Sequence, residues 1–169
     1  MHSTQQVNTP VQSKPKWQLY TGAVLPKGNQ VVGLGIVITR SDVVWFTASM
    51  SIQVEDLPAP VTSITGDYAA ADEGLKKAIE LLPASTTMLA HWTDNRAIAE
   101  DWQFFTREGL LPNNLQLLLK VRETRNRAAF QIQGGWLPRA QNAFADHHAK
   151  LGAQGVTDSA FPGRNVDDD

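Results

Sequence analysis

Runs of β-branched and aromatic residues predict five strands. Three runs come first along the chain: KWQLYTGA at 16–23, QVVGLGIVIT at 30–39 and VVWFTASMSI at 43–52. The turn-forming segments PKGN and RSD separate them, so the simplest arrangement of the three is an antiparallel meander. TTMLAHW at 86–92 and AAFQIQ at 128–133 predict a fourth and a fifth strand.

The apolar positions after residue 66 recur with the period of a helix. A first helix ends at Pro83 and has its inner face on Ala71, Leu75, Ala78, Ile79 and Leu82. A second helix starts at Asp94 and closes at Gly109, with Ile98, Trp102 and Phe105 on its inner face. The segment 53–66 carries two prolines and is interpreted as a loop.

Two more helices are predicted towards the C-terminus. Asn113 or Asn114 can cap a third helix that contains Leu115, Leu118, Leu119 and Arg122. The segment 138–151 predicts a last helix, whose apolar stripe holds Phe144, His148 and Leu151.

The predicted order β-β-β-α-β-α-α-β-α defines the fold class as α/β. It describes a mixed five-stranded sheet, a three-strand meander plus two further strands, with helices packed on it. Residues 1–15 lack periodicity and predict a disordered leader, 16–152 predict one domain, and 153–169 predict a flexible acidic tail that ends in three aspartates.

Composition removes several classes of function. The 169 residues contain no cysteine, which excludes disulfides, a thiolate nucleophile and a cysteine-based zinc site. A formal charge of −2 argues against binding of polyanions by bulk charge, although a local basic face remains possible. The chain has no apolar run near the ~20 residues that span a bilayer and no signal-type apolar core. A cytoplasmic protein without a membrane partner is expected.

Four motifs resemble those of the ribonuclease H family across residues 17–151. They are WLPRAQNAFADHHAK at 136–150, WTDNRAI at 92–98, LYTGA at 19–23 and AADEGLKKAI at 70–79. The resemblance implies the family's fold and an activity that hydrolyses the RNA strand of RNA–DNA hybrids. It also implies two divalent ions, Mg²⁺ or Mn²⁺, held by four carboxylates, since these hard cations prefer oxygen ligands.

Only two of the four carboxylate positions carry an acid in this alignment of motifs. Asp94 and Asp146 fall on family positions, whereas Thr21 and Ala71 stand where the other two acids are expected. Asp72 could substitute if the first helix were one residue out of register. Asp94 and Asp146 alone would hold a metal weakly, if at all. Each could also simply stabilise a helix end through capping and the helix dipole.

Other residues suggest contacts with nucleic acid. Four cations within eight residues are expected to touch phosphates, or else to form a solvated helix end: Lys120, Arg122, Arg125 and Arg127. Trp136 lies in a Gly-Gly-Trp segment and could stack on a base or a partner. Arg139 and Asn142 follow the family's last-helix pattern and are expected to steady the two aspartates or to contact phosphate.

Three functions are compatible with these residues. The preferred hypothesis is a ribonuclease H-like domain with a degenerate active site, acting as a nucleic-acid-binding or protein-interaction module. The alternative is a divergent divalent-metal-dependent ribonuclease that cleaves RNA–DNA hybrids. A structural protein that dimerises or binds a protein partner, with no nucleic-acid role, is the second alternative.

Overall fold

The computed structural model describes residues 15–28, 30–101 and 112–162. The strands within these ranges are β1 Trp17–Val24, β2 Val31–Arg40, β3 Val43–Gln53, β4 Met88–Thr93, β5 Gln131–Trp136 and β6 Asp158–Ala160. The helices are α1 Ser63–Leu81, α2 Arg96–Asp101, α3 Pro112–Asn126 and α4 Ala143–Ala153. None of these helices is long and apolar enough to cross a membrane.

The strands form one mixed sheet in the order β5-β4-β1-β2-β3-β6. The meander is confirmed, because β1, β2 and β3 pair antiparallel, while β4 lies parallel to both β1 and β5. The predicted number of five strands is wrong. The sixth strand, β6, pairs antiparallel with β3 and lies inside the segment 153–169, for which the sequence predicts a tail. Its three residues are exposed and show no alternation, so only pairing with the β3 edge reveals it.

Helix α1 begins inside the segment that the prolines predict as a loop. Thr62 is its N-cap, and a reciprocal pair of hydrogen bonds with Thr65 forms a capping box. The helix packs on β1 and α3, and its buried face includes Tyr68, Ala71 and Leu75. The start of α1 is therefore set by Thr62 rather than by the prolines that precede it.

The main core lies between the sheet and helices α1 and α3. Large side chains from β1, β2, β4 and α2 are fully enclosed there, among them Leu19, Ile36, Ile38, Leu89 and Ile98. Ile98 thus lies on the inner face of the second helix, as predicted. Trp102, Phe105 and Gly109, which the same prediction names, lie outside the described residues, as does the segment 1–14 of the predicted leader.

The predicted third helix is present as α3, but the predicted cap is wrong. Asn113 and Asn114 are buried within the helix, which starts at Pro112, and do not cap it. Leu117 and Val121 point to the core, whereas Leu115 and Leu119 are exposed. Because this helix contains a run of leucines, its apolar positions fit more than one helical face, and periodicity alone does not show which face is buried.

The predicted apolar stripe of α4 is wrong at Phe144, whereas His148 and Leu151 are half-buried. Phe144 is 66% exposed, and the buried positions are the small residues Ala145, Ala149 and Gly152. The reason lies in β2: a Cβ atom on Gly35 would overlap the carbonyl oxygen of Ala145. The backbone of α4 lies so close to the sheet that only small residues fit between them. Larger apolar side chains must face outwards.

Candidate carboxylate site

The turn after β4 carries the aspartate that the sequence motifs single out. Asn95, not Asp94, caps α2: its side-chain oxygen accepts the backbone N–H of Ile98 at 3.2 Å. Its own N–H donates to the hydroxyl of Thr93 at 3.1 Å. Asp94 therefore does not cap α2, and it lies directly after the end of β4.

Asp67 of α1, which sequence reasoning missed, lies beside this turn. The side-chain amide of Asn95 donates to its carboxylate at 3.3 Å. Burial, and next the negative charge of Asp94, raise the pKa of Asp67 to about 8. The amide of Asn95, the charge of Arg139 and a hydrogen bond from the backbone of Ala23 act in the opposite direction. The fold thus brings two acids from different elements into electrostatic contact.

The motif alignment places the expected acid of the first helix at Ala71, which lies one helical turn after Asp67. Ala71 is fully buried in the main core, whereas Asp67 faces the site. Residues four positions apart on a helix differ in direction by only ~40°. An alignment shifted by four residues therefore matches the same pattern of apolar positions. The sequence does contain a pattern that indicates this acid. A small residue, Gly74, and a large apolar residue, Leu75, follow Asp67 by two helical turns.

Asp72 does not join Asp94, contrary to the suggested substitution. Its buried carboxylate accepts a hydrogen bond from the hydroxyl of Thr124 on α3. The ammonium of Lys76 lies 2.9 Å from the other oxygen. Asp72 therefore ties α1 to α3 on the side of the helix away from the turn after β4.

Asp146 lies in the first turn of α4 and is held by two cations. The guanidinium of Arg139 is 3.4 Å from one carboxylate oxygen, and the ammonium of Lys150 is 3.0 Å from the other. The charge of Arg139 also lowers the pKa of Asp67. Arg139 therefore lies near both acids and connects the α1 and α4 sides of the site.

The strand-one position is neutral and closed off. Thr21 is buried, and its hydroxyl shares a 2.8 Å hydrogen bond with Nε2 of His91. Burial, and next the charge of Arg125, lower the pKa of His91 to about 3, so the ring is uncharged at neutral pH. The side-chain amide of Asn142 donates to the carbonyl of Thr21 at 2.9 Å. The side chain of Asn142 therefore attaches the start of α4 to β1, and its backbone carbonyl accepts the N–H of Asp146 at 3.0 Å.

The described residues hold no cluster of three potential metal ligands. Within 15–28, 30–101 and 112–162, no three acidic or histidine side chains are arranged to hold one ion together. Asp67, Asp94 and Asp146 supply oxygen donors of the type that Mg²⁺ and Mn²⁺ prefer. In the described ranges these three carboxylates do not make up such a group.

The basic residues of α3 mostly have protein partners. Lys120 lies 3.9 Å from Asp72, and the guanidinium of Arg127 lies 3.6 Å from Glu123. Arg125 donates to the carbonyl of Ile132 at the start of β5, and Arg122 is half-buried. The exposed pairs are weak and leave the cations accessible. Arg125, in contrast, is part of the fold.

Trp136 lies at the end of β5, next to the site. Its indole N–H donates to the backbone carbonyl of Asp94 at 3.1 Å. The guanidinium of Arg96 lies over the ring, 4.1 Å from its centroid. The structure therefore places Trp136 and Arg139 near the acids, whereas Arg125 is attached to Ile132, four residues or roughly 13 Å away along β5.

Asp67→Asn is expected to stabilise the protein at alkaline pH. The folded-state pKa of about 8 exceeds the ordinary value of 3.8, so between these values the folded protein holds a proton that the unfolded chain has released. The stability contributed by this group is complete below pH 3.8 and is lost as pH rises through about 8. Thermal unfolding at about pH 5 and about pH 9 should show a larger fall in Tm for the wild type than for the variant. Equal falls would contradict the raised pKa.

Comparison with solved structures identifies the fold. The chain superposes on the N-terminal RNase H domain of a Mycobacterium tuberculosis protein with a TM-score of 0.66, 19% identity and coverage of 84% of this chain and 96% of that one. RNase H1 from Halobacterium salinarum gives a TM-score of 0.68 at 15% identity, with 83% and 98% covered. LC11-RNase H1 in complex with RNA/DNA hybrid gives 0.67 at 17%, with the same coverage. No family model and no curated protein matches the chain.

The chain therefore has the ribonuclease H fold. The fold-level expectation from the sequence motifs is confirmed, because these structures are covered almost completely by the described chain. A more distant structure, the foamy viral protease-reverse transcriptase in complex with dsDNA, superposes with a TM-score of 0.52 at 18% identity, with 83% of this chain and 94% of that one covered.

Proposed function

We propose that this chain is a ribonuclease H-like domain that binds nucleic acid, RNA–DNA hybrid foremost, without hydrolysing it through two metal ions. The observation that carries this proposal is Thr21. The family resemblance requires an aspartate there that bridges both ions, and the position instead holds a buried hydroxyl bonded to the neutral His91. A hydroxyl cannot replace the charge and the second oxygen of a bridging carboxylate.

Binding is supported by the structures that share the fold. LC11-RNase H1 is seen with an RNA/DNA hybrid and the foamy viral protein with dsDNA. In this chain, exposed cations lie on both sides of the acids, with Arg139 and Lys150 at α4 and Arg96 at α2. Such side chains can neutralise phosphates locally although the whole chain carries a charge of −2.

A second candidate, a divergent metal-dependent ribonuclease, is favoured by Asp67. With Asp94 and Asp146 it makes three acids from three elements, and it takes the place that was considered for Asp72. The charge of Asp94 contributes to the raised pKa of Asp67. Repulsion between two carboxylates is the condition that a bound divalent cation relieves, so weak metal binding at this pair is compatible with the fold.

A cleavage assay with Thr21 variants separates the two candidates. The wild type is expected to leave labelled RNA–DNA hybrid intact in Mg²⁺ or Mn²⁺. Thr21→Asp is expected to gain cleavage, because it supplies the missing carboxylate while Asp67 already provides the helix-one acid. Thr21→Asn introduces a side chain with the shape of aspartate but without its charge, so this variant should stay inactive. Circular dichroism and Tm of each variant confirm that it is folded.

The wild-type result decides between the proposals. Metal-dependent cleavage that Asp94→Asn abolishes would establish the ribonuclease and reject the non-hydrolytic domain. Cleavage that survives Asp94→Asn would belong to a contaminant. Binding is measured separately as Kd against salt concentration, and a linear dependence of log Kd on log salt is expected. Absence of binding to hybrid, duplex and single strand at low salt would contradict a nucleic-acid role and leave a protein partner.

A further inference from the structure

The pair formed by Trp136 and Arg96 is a built feature that the carboxylates do not explain. Arg96 covers one face of the indole ring at 4.1 Å, and the N–H edge of the ring is bonded to the carbonyl of Asp94. Trp136 nevertheless remains 39% exposed. One face and the N–H edge are occupied, so the exposed fraction belongs to the remainder of the side chain.

The orientation of this ring is fixed before any ligand binds. The hydrogen bond to Asp94 sets the direction of the indole edge. The guanidinium of Arg96 lies against one face of the ring and fixes the ring plane. A large aromatic side chain held rigidly at the surface loses little conformational entropy when a flat partner stacks on it. Exposure of a tryptophan in this state costs hydrophobic stabilisation that burial would have provided, which favours a binding role over a packing role.

The groups that contact the ring of Trp136 carry opposite charges, with the guanidinium of Arg96 on one face and an acidic residue, Asp94, at the N–H edge. The carboxylate of Asp94 belongs to the residue that accepts the indole hydrogen bond, and the negative charge of Asp94 is strong enough to contribute to the raised pKa of Asp67 nearby. The indole itself offers a phosphate neither a charge nor a free donor, because its single N–H is already bonded to the carbonyl of Asp94. A nucleobase is uncharged and presents a π face, so it can stack beside the acids without repulsion.

We infer that Trp136, held by Arg96, is a stacking platform for one unpaired nucleobase beside the carboxylate site. This inference rests on the proposed nucleic-acid function and specifies its ligand. Bases inside a duplex already stack on both neighbours, so the platform selects a single strand, an overhang or a frayed end. The chain therefore binds a hybrid that carries an overhang or a frayed end more tightly than a blunt-ended hybrid.

Fluorescence anisotropy with labelled single-stranded oligonucleotides tests the platform. Trp136→Ala should weaken binding by roughly tenfold, the effect that loss of one base–aromatic stack produces. Trp136→Phe is the matched control, because it keeps a stacking ring, although a smaller one, and removes the N–H bond to Asp94. It should keep most of the affinity. An oligonucleotide made of abasic nucleotides should bind the wild type about as weakly as the normal oligonucleotide binds Trp136→Ala, with no further loss in the variant.

Each contrary outcome has a distinct meaning. An equal loss in Trp136→Phe and Trp136→Ala would show that Trp136 only positions Asp94, and would overturn the platform. Unchanged affinity in Trp136→Ala, with hybrid binding intact, would overturn the platform and leave the proposed function standing. A wild type that binds no nucleic acid would overturn both. Tm values for each variant show whether a loss of binding reflects unfolding.

Discussion

Gly35→Ala is expected to destabilise the protein by about 3 kcal/mol or more, since overpacking against rigid backbone cannot be relieved by a rotamer change. A Cβ atom on Gly35 would overlap the carbonyl oxygen of Ala145 and approach the backbone nitrogen of Ala149 to 2.7 Å. Gly33 meets α4 in the same way, one turn further along. The whole helix would have to move outwards, and it carries Asp146 and adjoins Asn142.

Urea unfolding of Gly35→Ala against Gly28→Ala measures this effect. Gly28 has φ of 71°, and a Cβ atom added to it would have no neighbour within 4 Å, so its replacement tests the backbone preference of glycine without a collision. That preference is worth about 1–2 kcal/mol. A Gly35→Ala variant no less stable than Gly28→Ala would mean that α4 does not lie this close to β2.

Acidification is expected to remove a large part of the stability through His91. Its folded-state pKa of about 3 lies below the ordinary 6.5, so between these values the unfolded chain binds a proton that the folded protein does not. The stability that neutral His91 contributes is complete above 6.5 and is lost as pH falls towards 3. At ~1.4 kcal/mol for each pKa unit, the full loss approaches about 5 kcal/mol.

His91→Gln isolates this contribution, because glutamine can keep a hydrogen bond to Thr21 and does not titrate. The free energy of unfolding, measured in urea from about pH 7 to about pH 4, should fall more steeply for the wild type than for the variant. The difference between the two curves is the relevant quantity, since Asp67 has the opposite pH dependence and affects both proteins alike. Parallel curves would contradict a buried neutral histidine.

The sheet was predictable because its cause is local. β-branched runs and turn residues mark β1 to β5 within a few positions, and the order of elements suffices to predict a mixed sheet with helices on it. β6 was not predictable, since three exposed residues without a pattern become a strand only beside β3. The inner face of α4 escaped prediction for a related reason. Gly33 and Gly35 decide it, and they belong to another element.

In the candidate site, too, some residues were predictable from the sequence and one was not. Asp94 and Asp146 were singled out because short motifs surround them, and Thr21 because it stands where the resemblance expects an acid. Asp67 required the structure, because its neighbours Asn95 and Arg139 are distant in sequence. Residues one helical turn apart have nearly the same environment in a periodic pattern, so only packing shows which of Asp67 and Ala71 faces the acids.

The sequence by itself determined the strands, the helices and two of the acids, because hydrophobic period and turn chemistry act between near neighbours. Only the tertiary structure decided which side chains meet. It placed Asp67 beside Asp94, directed Asp72 to Thr124 and closed Thr21 behind His91. Burial and charge pairing depend on elements that come together across the fold, and no local pattern encodes those distances.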